Sequence, residues 1–224
     1  MRAKQSRFHV PVKSELTHYL ERRWLRRGLV EVYNPFMGTK VIPKLTYEEF
    51  RQLPDDGKHY ELIHGEVHLS PSRSTKHQLI LGNISGNLGA YVRSARLGVL
   101  FSAPLDVCLN SDTALQPDLI FISAERVAIV QENFVAGAPD LAVEVLSQST
   151  AAHDRATKLP IYAEASVPEV WLIDSQARTV EVLRLQERKY FVEATLAGDQ
   201  VLASNLFPGW QLPLRDLFDF RGRF

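Results

Sequence analysis

Three acidic residues stand where the surrounding sequence asks for an apolar strand. Asp118 follows Pro117 and precedes four apolar residues, Glu144 interrupts PDLAVEVLS, and Asp174 ends VWLID. Acids are depleted in strands, and an ionised carboxylate in a sheet interior is costly unless a cation or metal meets it. Strand alternation places Glu144 with Ala142 and Leu146, opposite Leu141, Val143 and Val145. In a central strand neither face is freely solvated, so Glu144 needs a counter-charge. The nearest source is HDRATKL, which holds Asp154, Arg155 and, fourteen positions past Glu144, Lys158. Two carboxylates and a lysine at one strand edge are the minimum set for metal-dependent phosphodiester cleavage. The acids offer oxygen ligands to Mg²⁺, which polarises phosphate and lowers the pKa of an attacking water. The lysine orients that water or neutralises charge developing on the phosphate. Plainer readings stand beside this one. Glu144 also fits an ion-paired or strand-edge carboxylate, Asp118 a Pro-Asp turn at a strand entrance, and Asp174 a turn residue.

Other candidates carry less chemistry. His77 opens a long helical pattern, either packing over a sheet or standing near a phosphate. His59, His64 and His68 recur around a hairpin signal, but no cysteine or second cluster joins them, which disfavours zinc. Ser147 and Ser149 lack a GxSxG elbow, and there is no P-loop or GxGxxG. Asp106 suits either an acid behind the site or a turn between strands. Trp171, between Val170 and Leu172, reads as core.

The elements that would position these residues are legible from about Leu45. Thr46 and Glu49 form a capping box at the start of a short helix, and YELIHGEVHLS reads as a hairpin turning at His64-Gly65. Residues 77–95 carry Ile80, Leu81, Ile84, Leu88, Tyr91 and Val92 at helical spacing. Gly82, Gly86 and Gly89 interrupt this helix and predict close packing against another backbone. Strands are expected at 98–103, 105–109, 115–123, 140–146 and 169–174, in one mixed sheet. A weaker helix is expected over 154–165; Pro160 requires it either to begin near Leu159 or to kink. The tail from Thr179 reads as antiparallel ribbon. Helix, three strands, helix, strand is the order of an α/β (α+β) domain with a mixed sheet between helices.

Composition narrows the class. The 224 residues are 45% hydrophobic and 23% charged, which excludes disordered, collagenous and coiled-coil chains. Cys108 is the single cysteine and no apolar run approaches a membrane span, so a soluble, cytoplasmic protein is expected. The zero net charge hides an asymmetry: residues 1–44 hold ten Lys/Arg against three acids. This basic N-terminal extension reads either as a nucleic-acid-contacting arm or as a solvated, partly helical addition to the domain at 45–224.

The stretches YELIHGEV, STKHQLILGNI, APLDVCLNSDTALQPDLIFIS, PDLAVEVLSQST, DRATKLPIYAEASVPEVWLID and FPGWQLPLRDLF, within residues 45–218, resemble the Uma2 family, restriction-endonuclease-like proteins of the PD-(D/E)XK nuclease superfamily. The resemblance implies a restriction-endonuclease-like fold and a Mg²⁺- or Mn²⁺-dependent endonuclease acting on DNA, working as a homodimer. Pro117-Asp118 stands for the PD half-motif and Glu144 for the second acid. Leu146 occupies the usual lysine position, so that role passes to Lys158. Glu61 carries over as a further acid. One ion held by Asp118, Glu144 and the main-chain carbonyl of Val145, with Glu61 beside it, is the expected arrangement. The competing expectation is an inactive nuclease-fold module that binds nucleic acid or a protein partner.

Overall fold

A computed structural model describes residues 44–70, 73–147, 151 and 154–220; the basic extension up to residue 43 lies outside them. Helix α1 (Tyr47–Phe50) opens with the expected capping box. The Glu49 amide donates to Thr46 Oγ1 at 3.4 Å and the Thr46 amide to the Glu49 carboxylate at 2.9 Å. Strands β1 (Tyr60–Ile63) and β2 (Glu66–Leu69) form the hairpin. His64 and Gly65 both take positive φ, 50° and 81°, as a two-residue turn between twisted strands requires. A Cβ on Gly65 would stand 2.5 Å from that of Lys44, so this position admits glycine alone.

Helix α2 (Thr75–Ser94) is capped by the Ser74 hydroxyl and buries Ile80, Ile84 and Leu88 completely. Each such side chain contributes roughly 2 kcal/mol by leaving water. The glycine expectation is corrected: open space surrounds Gly82 and Gly86, and Gly89 approaches a side chain, that of Leu100, rather than a backbone.

The strands divide between two main sheets rather than joining one. The larger contains β3 (Gly98–Ser102), β6 (Leu119–Ser123), β8 (Leu141–Leu146), β9 (Glu169–Asp174), β10 (Thr179–Gln186) and β11 (Lys189–Ala197), in the order β11-β10-β9-β8-β6-β3. Only its β8–β9 pair is parallel. The smaller sheet runs β2-β1-β5-β4-β7, with β4 (Asp106–Asn110), β5 (Thr113–Leu115) and β7 (Phe134–Ala136). Two expectations are thereby corrected. The strand placed at 105–109 belongs to the smaller sheet, and the strand placed at 115–123 is two strands, one in each sheet. Pro117 explains the split, because it has no amide to give a ladder. The ribbon of the tail is real, but β10 pairs with β9 and so extends the larger sheet. A separate short pair, β12 (Val201–Leu202) with β13 (Leu212–Pro213), precedes α4 (Leu214–Leu217).

The larger sheet is covered on both faces. Leu141, Val143 and Val145 meet α2 and the C-terminal segment, where Trp171 stacks on Trp210, their rings 5.9 Å apart. Ala142 and Leu146 face the other way, onto Ile63, Leu115 and the residues Ile161 and Tyr162 of α3 (Leu159–Glu164). Glu144 shares the parity of that second face and lies between the two sheets.

Candidate active site

The chain crosses from one sheet to the other at Gln116-Pro117-Asp118, and this crossing builds half of the site. The Gln116 amide, with no strand to pair, donates to Glu61 Oε1 on β1 at 2.8 Å. The Asp118 carboxylate turns inward and collects three donors. They are Arg73 Nε at 2.7 Å on Oδ1, and His77 Nε2 and the Val145 amide, each at 2.8 Å on Oδ2. His77 sits in the first turn of α2, so the helix that covers the sheet also holds this acid.

The other half comes from the segment after β8. Residues Asp154–Lys158 form one π-helical turn, a wide turn frequent at functional sites. It directs both Asp154 and Lys158 inward, and both are buried. Helix α3 then starts at Leu159, which places Pro160 in its first turn, where a missing amide costs nothing. Of the two arrangements open to Pro160, the chain adopts this one, and Lys158 reaches the site.

Lys158 Nζ lies 3.1 Å from Glu61 Oε1, 3.1 Å from Glu144 Oε1 and 3.7 Å from Asp154 Oδ1. The Tyr162 hydroxyl donates to Glu144 Oε1 at 2.5 Å. Among the described residues, four carboxylates thus face two permanent cations, Lys158 and Arg73, together with the imidazole of His77. Burial, and the repulsion of Asp118, Asp154 and Glu61, push the Glu144 carboxyl up to about 8 against the pull of Lys158. Burial opposes the charge of Lys158, yet Glu144, Glu61 and Asp154 raise its pKa well above the ordinary value. Asp118 goes the other way: burial alone would raise it, but His77, Arg73 and the Val145 amide together hold it below the usual carboxylate range.

Glu61, Asp118, Glu144 and Lys158 therefore come from four separate segments, and the three acids and the lysine are joined through direct contacts or through β8. Arg155 points away, to Glu181 at 2.7 Å. Asp174 is the turn residue, accepting from the amides of Gln176 and Ala177. Asp106 stands behind the site, bound by the Tyr47 hydroxyl and Gln116 Nε2. Trp171 is core. The Val145 main-chain group seen engaged at the site is its amide, donating to Asp118. Arg73, Gln116 and Tyr162 belong to this network and escaped the sequence reading. Arg73 lies in a loop without periodicity, Gln116 beside a proline, and Tyr162 in an apolar helix pattern. The signal for Tyr162 was its distance of four residues from Lys158, one helical turn.

The donors suit a hard divalent cation. They are carboxylate oxygens, the ligands such an ion prefers. Among the described residues, Glu61 bonds through Oε1, Glu144 Oε2 meets Lys158 at 3.3 Å and Asp118 Oδ1 meets Arg73, so these three acids keep acceptor capacity. Gln116 Oε1 and His77 Nδ1 are buried without a partner, two polar atoms beside the cluster that the protein leaves unsatisfied. Among the described residues, no group of three acidic, imidazole or thiol side chains is arranged to hold a metal ion as it stands.

Comparison with known proteins agrees with this architecture. Residues 47–215 match the family Uma2, described as "Putative restriction endonuclease". A crystal structure described as a putative nuclease belonging to DUF820, from Anabaena variabilis ATCC 29413, superposes with a TM-score of 0.64 at 23% identity, covering 78% of this chain and 97% of that one. No curated protein matches the chain. No helix among the described residues is long and apolar enough to cross a membrane. The restriction-endonuclease-like fold is thus shared with a solved relative. Because the family match spans both sheets and every residue of the buried cluster, this chain belongs to the Uma2 family.

Proposed function

We propose that the protein is a Mg²⁺- or Mn²⁺-dependent endonuclease that hydrolyses phosphodiester bonds of DNA. One observation carries this reading: Glu61 on β1, Glu144 on β8 and Asp154 meet one buried lysine, with Asp118 held beside them through the Val145 amide. Asp118 and Glu144 hold the ion, and Glu61 adds a carboxylate directly or through water. Once bound, the ion polarises phosphate and lowers the pKa of water. Arg73, His77 and the Val145 amide fix the Asp118 carboxylate, so that it loses little freedom on binding. Tyr162 fixes Glu144 in the same way. Lys158 orients the attacking water and neutralises charge that develops on the phosphate in the transition state. Arg73 is the most exposed cation of the site, its side chain 18% accessible, and its remaining guanidinium N–H groups meet an incoming phosphate. Attack breaks the P–O3′ bond and leaves 5′-phosphate and 3′-hydroxyl ends. The protein acts in the reducing cytoplasm, consistent with its one free thiol, and cuts both strands as a homodimer.

The test is cleavage of plasmid and short duplex DNA with Mg²⁺, Mn²⁺ or Ca²⁺, beside Asp118→Ala, Glu144→Ala and Lys158→Ala. Both acid variants are expected to lose Mn²⁺ binding and cleavage together. Lys158→Ala is expected to slow the chemical step by roughly 10²-fold or more. Cleavage that persists in Glu144→Ala under chelation sinks the metal site. A wild-type protein that binds no Mn²⁺ points instead to an inactive nuclease-fold module. Light scattering that finds a monomer at every concentration removes the dimer.

A further inference from the structure

We propose that Lys158 is the resident cation of this site and sets its metal affinity, so that a divalent ion gains the carboxylates only as Lys158 leaves them. This rests on the metal-dependent reading above and concerns its regulation. The ammonium has three donors, and three carboxylates, those of Glu61, Glu144 and Asp154, surround it at 3.1–3.7 Å. With its side chain 8% accessible, Lys158 has exchanged most of its hydration shell for those acids. Two of these acids, Glu144 and Glu61, are also among those assigned above to the divalent ion.

The surroundings allow such an exchange. Lysine carries a compact charge on a flexible four-carbon stem, so it can withdraw without moving the backbone. It ends a π-helical turn, where the chain is already wider than an α-helix. Glu144 and Asp118 stay anchored when it goes, through Tyr162 and through Arg73, His77 and the Val145 amide. A departing Lys158 then becomes available to water and phosphate. Metal loading and release of the lysine are one event, and the metal-free site keeps its lysine locked away.

The experiment is Mn²⁺ titration of the full chain by calorimetry, comparing wild type with Lys158→Met, which keeps length and bulk without charge. Lys158→Met is expected to bind Mn²⁺ roughly 10-fold more tightly, because no internal cation then occupies the binding-competent state. Equal or weaker binding overturns the proposal while leaving the metal site intact. Failure of both proteins to bind Mn²⁺ removes the metal site itself, and this inference with it. A second measurement needs no variant: acetylation of wild-type lysines followed by mass spectrometry, with exposed Lys189 as the internal reference. Mn²⁺ is expected to speed labelling of Lys158 several-fold relative to Lys189; an unchanged or lower ratio counts against the proposal even if Lys158→Met does not fold.

Discussion

Glu144 and Glu169 sit on adjacent parallel strands, β8 and β9, and both are buried beside a cation. Their surroundings differ in one respect. Glu169 has three donors, Trp171 Nε1 and Arg184 Nη1, each at 2.5 Å, and the Ser204 hydroxyl at 2.9 Å, and it shares Arg184 only with the exposed Glu193, 2.7 Å from Arg184 Nε. Glu144 shares one lysine with two other acids and faces a fourth. The first arrangement is closed, a bolt joining β9, β10 and the loop before β13. The second divides one ammonium among three carboxylates. A buried acid alone therefore does not mark a site in this fold; several buried acids gathered on one cation do. The same contrast explains why both carboxyls are raised by burial while only Glu144 is pushed as far as about 8.

The widest separation between the two should appear in stability. Glu169→Ala leaves Arg184 only its pair with Glu193 and removes the acceptor of a buried indole, and is expected to cost about 2–3 kcal/mol in denaturant unfolding. Glu144→Gln relieves repulsion in the acid cluster and should cost far less. Equal losses would erase the difference between the two acids.

A pH series on metal-free protein sharpens it next. Glu144 titrates at about 8 in the fold against an ordinary 4.5, so folding takes up a proton between those values. The stability it contributes is complete below 4.5 and is lost as pH rises through 8, an expected decline of a few kcal/mol. Glu144→Gln should flatten that decline in thermal melts, leaving the smaller slope of the same sign from Glu169. Asp118 acts in a separate window: its depressed pKa gives stability present above 3.8 and lost as the solution becomes more acidic.

The smallest effect expected is that of Ser204→Ala. It removes one of three donors to Glu169 and should cost about 1–2 kcal/mol without touching Mn²⁺ binding. A Ser204→Ala protein with altered metal affinity would show that the two acids are not independent.

Much of this was readable from residue types and spacing. Alternation assigned Glu144 to the face away from Leu141, Val143 and Val145, and its need for a cation pointed forward to Lys158. The capping box at Thr46, the His64-Gly65 turn and the stripe of α2 are local patterns and were found at those places. The strand count differed, because Leu115 and the apolar run Leu119–Ile122 flank the proline step that moves the chain between sheets and read as one strand.

What the sequence determined by itself are properties of short range: which residues alternate, where a helix is capped, which acids lack local solvation and so must find partners. Tertiary structure decided which partners they find. Nothing near Arg73 in sequence announces Asp118, 45 positions away, and nothing in β1 announces that Glu61 shares Lys158 with Glu144. Those contacts depend on the packing of two sheets against each other and on one wide turn before α3. The free energy of a buried charge is fixed by everything within a few ångströms of it, whatever its distance along the chain. So the sequence named the acids, and only the folded chain determined that a single ammonium is divided among three of them.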